Sequence, residues 1–204
     1  MASRARAAVG FSVHTGWAAA VAVGGSAAEP QVLGRARLEL VRPDDGFPRF
    51  VFHSVEGRPL AEARKVVERA EQATRRHALE ELERFAGEVA QQGAKVVAAG
   101  LTLATGKLPA ELEAVLRSHP FIHTAEGELF RAAIAHACEA MKVPVERVPR
   151  KTLFAQAGQA LGKTEAAVKK VVDGMKASLG PPWGADQKEA MALGWIALAR
   201  GARV

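Results

Sequence analysis

The hydrophobic period of this chain changes near Pro59, and that change limits the folds that the chain can adopt. Before Pro59, apolar residues come in short runs or alternate with charged residues, as they do in residues 31–41. Period two is typical of β-strands, and a polar partner at every second position indicates a sheet with one solvated face. We therefore predict strands at residues 7–13, 17–23 and 31–41, joined by short turns into an antiparallel meander.

After Pro59, apolar residues recur at helical spacing as far as Gly93, which predicts one long helix with charged pairs on its exposed side. Shorter segments follow, and they alternate between strand and helix patterns. The predicted strands are 95–99 and 143–148, and the predicted helices are 109–117, 125–141, 152–161, 164–179 and 186–200. Residues 42–58, which are rich in Pro, Gly and Phe, are predicted to form a long connection.

A meander followed by alternating helices and strands predicts a mixed α/β fold. The expected architecture is a five-stranded mixed sheet with helices on both faces. The chain has 204 residues, of which 49% are hydrophobic, and this is enough to bury one core. We therefore predict a single domain over residues 1–204.

Composition indicates the cellular compartment and the kind of partner to expect. The single cysteine, Cys138, has no partner for an internal disulfide, which suits a reducing cytoplasm, and its apolar neighbours predict a core position. No apolar run approaches the roughly 20 residues that a membrane helix needs, so we expect no membrane partner. The net charge of +6 favours an acidic partner such as nucleic acid.

Two acidic residues, Asp186 and Glu189, open the last predicted helix. Their three-residue spacing is typical of a capping box, in which the side chains bind free backbone N–H groups of the first turn. The same spacing also points both carboxylates to one side of the helix, as a metal site would need. The sequence leaves both interpretations open.

Several segments match those of one known family in kind and in order. Val9-Gly10-Phe11-Ser12 stands where that family has a strand ending in Gly-hydrophobic-Asp. Ala185-Asp186-Gln187-Lys188-Glu189 looks like its terminal acidic helix. The other matching segments are residues 15–18, 125–141, 143–149 and 162–168. Together with the element order, they resemble the RuvC-like endonucleases, the crossover-junction resolvase branch of the ribonuclease H-like fold.

The resemblance implies a site as well as a fold. Members of this family hold two Mg²⁺ ions with four carboxylates and hydrolyse phosphodiester bonds, and such a pair of ions needs several acidic oxygens. The resemblance places the first acid at Ser12 and the last two at Asp186 and Glu189. The second acid falls at the end of strand 95–99, at Ala98-Ala99-Gly100. Only two of the four carboxylates are then present, with Mg²⁺ or Mn²⁺ as the cation that they would hold.

Other residues are candidates for auxiliary or separate sites. Glu126 lies at the start of a predicted helix, where it suits the helix dipole, and either Glu126 or Ser12 could assist Asp186 and Glu189 at a residual metal site. His119 and His123, four residues apart, could bind zinc together with Glu126. Pro120 lies between these histidines and no further ligand is close in sequence, so the zinc pattern is incomplete.

Two further patterns suggest catalysis or nucleotide binding. Ser12 and His14 would suit a histidine-assisted nucleophile, but no third group or nucleophile elbow accompanies them. The segment from Gly158 to Thr164 has three residues between its glycines, whereas a phosphate-binding loop needs four. A helix cap at Thr164 explains that segment better.

Basic residues concentrate between the last predicted strand and the last helix. They suit a surface that contacts phosphates without reading sequence, or simply a solvated helix face. The residues expected to contact nucleic acid are Arg147, Arg150, Lys151, Lys163, Lys169 and Lys170. Trp183 could stack on bases, whereas the spacing of Trp195 favours the core.

The leading hypothesis from the sequence is a RuvC-like protein with a degenerate catalytic centre, which binds nucleic acid or serves as an interaction module. One alternative is an active metal-dependent nuclease with a rearranged carboxylate set. Another is a protein–protein module that forms a homodimer through the long helix at residues 61–92.

Overall fold

The computed structural model describes residues 5–26, 28–103 and 106–201. Within them, one mixed sheet has five strands, in the order β3-β2-β1-β4-β5. β1 pairs antiparallel with β2, β2 pairs antiparallel with β3, and β4 pairs parallel with both β1 and β5. The strands are β1 Ala5–His14, β2 Trp17–Gly25, β3 Pro30–Glu39, β4 Ala94–Thr102 and β5 Val145–Val148. This confirms the predicted meander and the mixed sheet.

Eight α-helices are seen in the described part of the chain. They are α1 Val51–Ser54, α2 Leu60–Gln91, α3 Leu112–Leu116, α4 His119–Ala140, α5 Leu153–Leu161, α6 Glu165–Gly174, α7 Lys176–Leu179 and α8 Ala185–Gly201. Short 3-10 helices at Pro43–Asp45 and Arg150–Thr152 precede α1 and α5.

The sheet separates two apolar layers, because side chains of a strand point alternately to its two faces. On β1, Ala7, Val9 and Phe11 pack into a core with α2 and α4, and Ala8 packs into a second core with α5, α6 and α8. Helices therefore cover both faces, as predicted. Cys138 lies in the first core, where burial raises the pKa of its thiol to about 12.

The long helix α2 packs its apolar stripe against α4, β3 and β4. Its buried residues, among them Val67, Ala70 and Phe85, recur at helical spacing. Arg84 pairs on the exposed side with Glu81 and Glu88. The apolar face is thus used within the chain, and dimerisation through this helix stays a prediction.

Three predicted element bounds were wrong. α4 begins at His119 rather than near residue 125, because Pro120 falls in its first turn, where a missing N–H is tolerated. The predicted connection at 42–58 contains helix α1. The predicted helix at 164–179 is split into α6 and α7 at Met175. No described helix is long and apolar enough to cross a membrane.

Candidate functional site

Glycines let α8 lie directly on the centre of the sheet. A Cβ atom at Gly10 of β1 would lie 1.9 Å from the carbonyl oxygen of Ala190, and one at Gly100 of β4 would lie 2.3 Å from that of Leu193. Both distances are to backbone atoms, so no side-chain movement could relieve them. This close contact brings the first turn of α8 to the carboxyl end of β1.

The loop before α8 is held from the neighbouring edge of the sheet. The guanidinium of Arg35, on β3, donates to the carbonyl oxygens of four consecutive residues at 2.7–3.1 Å. These residues are Leu179, Gly180, Pro181 and Pro182. The start of α8 is therefore fixed at both β1 and β3.

Five side chains meet where α8 reaches β1, and we name them the carboxylate cluster: Ser12, His14, Arg150, Asp186 and Glu189. His14 Nε2 lies 2.8 Å from Asp186 Oδ1. Arg150 Nε donates to Glu189 Oε2 at 2.7 Å. Ser12 Oγ lies 3.1 Å from Glu189 Oε1 and 3.5 Å from Asp186 Oδ1. Since a hydroxyl has one proton to donate, the nearer Glu189 is its better acceptor.

The two acids do not cap their own helix. The hydrogen bonds of Asp186 and Glu189 among the described residues run to side chains of other elements. Instead, Gln187 Oε1 accepts the N–H of Gly184 at 2.9 Å. The capping-box interpretation was therefore wrong, and the alternative, that both carboxylates face one side, describes their position. His14 contacts Asp186 rather than Ser12, so the Ser–His pair considered from the sequence is not formed.

The cluster opens to solvent at one end. Glu189 has a side-chain exposure of 13%, whereas that of Asp186 is 31% and that of Arg150 is 61%. The buried hydroxyl of Ser12 forms the floor. A cation or a phosphate would thus approach from the side of Asp186 and Arg150.

An aromatic stack adjoins the cluster. The rings of His14 and Trp17 are stacked with centroids 4.3 Å apart, and the Arg37 guanidinium carbon lies 3.7 Å from the Trp17 centroid. The stack fixes the plane of His14 beside Asp186. The sequence did not reveal this, although His14 and Trp17 flank a two-residue turn, which places them opposite each other.

The position predicted for the second acid must be corrected. β4 runs on to Thr102, beyond the predicted end at Ala99. Phe11 pairs with Leu101 in the parallel ladder, and the next residues of these two strands are Ser12 and Thr102. The residue level with Ser12 is thus a buried threonine rather than the Ala98–Gly100 segment.

Glu126 was wrongly grouped with these acids. It lies on α4, in the layer on the opposite face of the sheet, and is 3% exposed. Its carboxylate accepts the backbone N–H groups of Val51 and His53, each at 3.1 Å, and lies 3.0 Å from His53 Nδ1. It therefore holds helix α1 and one histidine, and does not reach the carboxylate cluster.

The predicted basic surface is divided between the two faces. Arg150 belongs to the carboxylate cluster, and Lys151 follows it in the 3-10 helix before α5. Lys163, Lys169 and Lys170 lie on or before α6, which packs in the same layer as α8. Arg147 instead lies beside Arg75, Glu128 and His136 in a concavity of the α4 layer.

The individual basic residues differ in their partners. Lys169 pairs with Glu165 at 2.5 Å. In the described part of the chain, Lys151, Lys163 and Lys170 form no ion pair within 4.0 Å. Among the six predicted contacts, these three amines and Arg147 thus have no ion-pair partner in the described part of the chain.

Two other sequence interpretations are settled by burial and hydrogen bonding. Trp183 is 6% exposed and its Nε1 donates to the carbonyl of Val172 at 2.8 Å, so it is not placed to stack on a base. Trp195 is fully buried, as predicted. Thr164 accepts the N–H of Ala167 at 3.2 Å, which confirms it as the cap of α6.

Comparison with known proteins relates the whole chain to one fold. No protein-family model and no curated protein sequence matches this chain. The structure of Thermus thermophilus RuvC matches it with a TM-score of 0.52 at 15% identity, over 97% of this chain and 96% of that one. The T. thermophilus RuvC structure in complex with a Holliday junction substrate matches it with a TM-score of 0.51 at 14% identity, over the same shares. The chain therefore has the mixed α/β, ribonuclease H-like fold of RuvC.

Proposed function

We propose that this chain is a nucleic-acid-binding protein in which the RuvC fold is kept but two-metal phosphodiester hydrolysis is lost. The observation that carries the proposal is the set of partners of its two acids. Asp186 is occupied by His14, and Glu189 by Ser12 and Arg150. A carboxylate that already faces a guanidinium at 2.7 Å gains less from binding a cation.

The donor set does not fit a pair of Mg²⁺ ions. Two ions held roughly 3.5–4 Å apart need carboxylate oxygens that bridge them. At the carboxyl ends of β1 and β4 the chain has the hydroxyls of Ser12 and Thr102. A hydroxyl brings no charge to offset the repulsion between two divalent cations, so these residues do not support hydrolysis through two metals.

The surface beside the cluster supports nucleic-acid binding. Arg150 lies at its rim, Lys151 is the next residue of the same 3-10 helix, and Lys163 and Lys170 lie on or before α6 in the same helical layer. The chain carries a net charge of +6, which favours a polyanionic partner through release of its counterions. The T. thermophilus RuvC that shares this fold has been solved with a Holliday junction.

The test is binding of labelled four-way junction, duplex and single-stranded DNA, followed by fluorescence anisotropy at several salt concentrations in EDTA. The variant is Lys151→Gln/Lys163→Gln/Lys170→Gln. We expect it to bind more weakly on every substrate, with a salt slope reduced by about one for each phosphate that the variant no longer neutralises.

The matched control is Arg64→Gln/Lys65→Gln/Lys95→Gln, which removes the same charge at exposed positions of α2 and β4. Equal losses in the two variants would mean that only net charge matters. No binding of any substrate by the wild type at low salt would refute the proposal.

An active nuclease with a rearranged acid set is the second candidate, favoured by the partial exposure of Asp186 and its closeness to Glu189. It requires Mg²⁺- or Mn²⁺-dependent cleavage of one of these substrates that Asp186→Asn abolishes. Our proposal expects no such cleavage at protein concentrations that saturate binding.

A further inference from the structure

Three histidines from distant parts of the chain meet on the other face of the sheet, and we name His53, His119 and His123 the histidine cluster. One ring nitrogen from each lies within 4.8 Å of the other two. His119 Nε2 and His123 Nε2 are 3.1 Å apart. The ring of His53 lies 5.4 Å from that of His119 and 4.7 Å from that of His123, measured between centroids.

The backbone explains how the three rings converge. His119 and His123 are four residues apart in the first turns of α4, so their side chains lie on the same face of the helix. Pro120 does not interrupt them, because the first turn has no N–H to lose. His53 lies on α1, which packs against α4.

A buried carboxylate orients His53. Glu126 lies 3.0 Å from His53 Nδ1 and also accepts the backbone N–H groups of Val51 and His53. This leaves Nε2 as the other ring nitrogen of His53. A histidine whose second nitrogen is held by a carboxylate is the usual arrangement of a metal ligand, since the carboxylate fixes the tautomer and makes the ring more basic. Glu56 Oε1 lies 3.8 Å from His119 Nδ1, which is too far for a hydrogen bond, so His53 is the histidine that a carboxylate orients.

The spacing of two of the nitrogens fits a transition metal ion, and the third nitrogen lies within 4.8 Å of both. With metal–nitrogen bonds of 2.0–2.1 Å, two ligands of a tetrahedral ion lie about 3.3 Å apart. The distance between His119 and His123 is close to that value. Imidazole ligands suit Zn²⁺, Cu²⁺ or Ni²⁺, whereas Mg²⁺ and Ca²⁺ take oxygen ligands.

We propose that His53, His119 and His123 bind one divalent transition metal ion of the Zn²⁺ class. Glu126 is the positioning residue of the site, acting through His53. Three protein ligands leave a fourth position, and the 60% exposure of the His119 side chain opens it to water or an external ligand. The site joins α1 to the start of α4. It shares no residue with the carboxylate cluster, so it stands independently of the function proposed above.

The experiment uses the full chain, free of any affinity tag and stripped with EDTA. Co²⁺ is titrated and followed by its visible d–d absorption, and Zn²⁺ is then added to displace it. We expect one Co²⁺ per chain, in a four- or five-coordinate spectrum that Zn²⁺ abolishes. His119→Ala/His123→Ala should remove this binding, and both side chains are exposed enough for the variant to fold, which circular dichroism checks.

Two variants separate positioning from general effects. Glu126→Gln keeps the shape of the side chain but weakens its hold on His53, and we expect metal affinity to fall by about 10- to 100-fold. His136→Ala removes another histidine of the same helix, outside the cluster, and should change nothing.

Three results would overturn the proposal. One is a wild type that binds no Co²⁺ or Zn²⁺, and another is a His119→Ala/His123→Ala protein that still binds one ion. The third is loss of the Co²⁺ spectrum in Asp186→Asn/Glu189→Gln, which would assign the ion to the carboxylate cluster instead.

Discussion

The carboxylate cluster and the histidine cluster lie on opposite faces of the same sheet, and their side chains have different kinds of partner. In the carboxylate cluster each acid has a hydrogen-bonding or cationic partner from another element. In the histidine cluster the three rings face one another, and the one buried carboxylate lies behind His53. The acids are thus held by partners of other chemical types, whereas the histidines bring three ring nitrogens of one type together. Among the described residues, the group that brings three possible ligand atoms within 4.8 Å of one another is the histidine cluster rather than the acid pair that the sequence suggests.

The largest effect is expected from breaking the support of the carboxylate cluster. Gly10→Ala would place a Cβ 1.9 Å from the carbonyl oxygen of Ala190 and 2.4 Å from the nitrogen of Gly194. Helix α8 must then move off β1, and we expect the free energy of unfolding to fall by about 3 kcal/mol or more. Urea denaturation followed by circular dichroism measures this.

The control for this change is Gly87→Ala in α2, where a new Cβ would meet nothing within 4 Å. It should stabilise the protein by about 0.5–1 kcal/mol through helix propensity. If Gly10→Ala were as stable as the wild type, the close seating of α8 on β1 would be wrong.

On the face of the sheet that carries the histidine cluster, Asp45 connects the segment before α1 to His77 of α2. Asp45 accepts the N–H of Arg42 and lies next to His77 Nε2, each at 2.7 Å. Burial alone would raise the pKa of Asp45, but the hydrogen bonds from Arg42 and His77 and the nearby charges outweigh it and lower that pKa. A lowered pKa means that the ionised carboxylate stabilises the fold above the unfolded value of about 3.9. That stability is lost as the pH falls through the pKa of the folded state.

Asp45→Asn should therefore lower the free energy of unfolding by about 1–3 kcal/mol at neutral pH. The difference from the wild type should shrink as the pH falls below about 4, where Asp45 of the unfolded chain takes up a proton, and should vanish below the lowered pKa of folded Asp45. Denaturation at a series of pH values tests both statements. Asp44→Asn, at the exposed neighbouring position, is the control, and an equal loss there would remove the case for the Asp45–His77 pair.

The sequence predicted the fold well because the relevant signals are local. The meander follows from period two and short turns, and α8 follows from helical spacing in residues 186–200. The resemblance of the opening strand and the last helix to RuvC-like endonucleases predicted the same order of elements. These patterns depend on neighbouring residues and need no knowledge of long-range contacts.

The two clusters were predicted less well because they depend on contacts between distant segments. Asp186 and Glu189 were identified as a pair, but nothing in the sequence shows that Arg150 or His14 would occupy them. His119 and His123 were noticed, and the third histidine was missed because His53 lies in a segment that was interpreted as a connection. Glu126 was assigned to the wrong site, since the sequence does not show which face of the sheet its helix covers.

Replacing the hydroxyl of Ser12 with a carboxylate would add a negative charge to the carboxylate cluster. Ser12→Asp adds a third acid beside Asp186 and Glu189, and like charges this close destabilise the metal-free protein. We expect a loss of about 1–2 kcal/mol without metal. Mn²⁺ should restore thermal stability to this variant, because the ion binds the folded state alone.

Ser12→Asn is the control for this prediction, since it has the same shape without the charge. Thermal unfolding with and without Mn²⁺ compares the two variants. If Mn²⁺ stabilised Ser12→Asp no more than Ser12→Asn, the cluster would not have the geometry of a cation site. The absence of an acid at Ser12 would then not explain a lack of metal-dependent hydrolysis.

The smallest effect is expected at the rim, where Arg150 meets Glu189. The Arg150 side chain is 61% exposed, so its pair with Glu189 should contribute less than about 1 kcal/mol to stability. Arg150→Gln should leave the unfolding temperature nearly unchanged but strengthen Mn²⁺ binding a few-fold in calorimetry, because the competing cation is gone. Lys151→Gln removes the same charge at the adjacent residue without touching Glu189. The gain in Mn²⁺ affinity should therefore be larger for Arg150→Gln than for Lys151→Gln. It should also persist at high salt, because salt screens a charge in direct contact with Glu189 less than a more distant one. Equal gains in both variants would show that the rim acts through its net charge, and that Arg150 does not itself occupy the position of a metal ion.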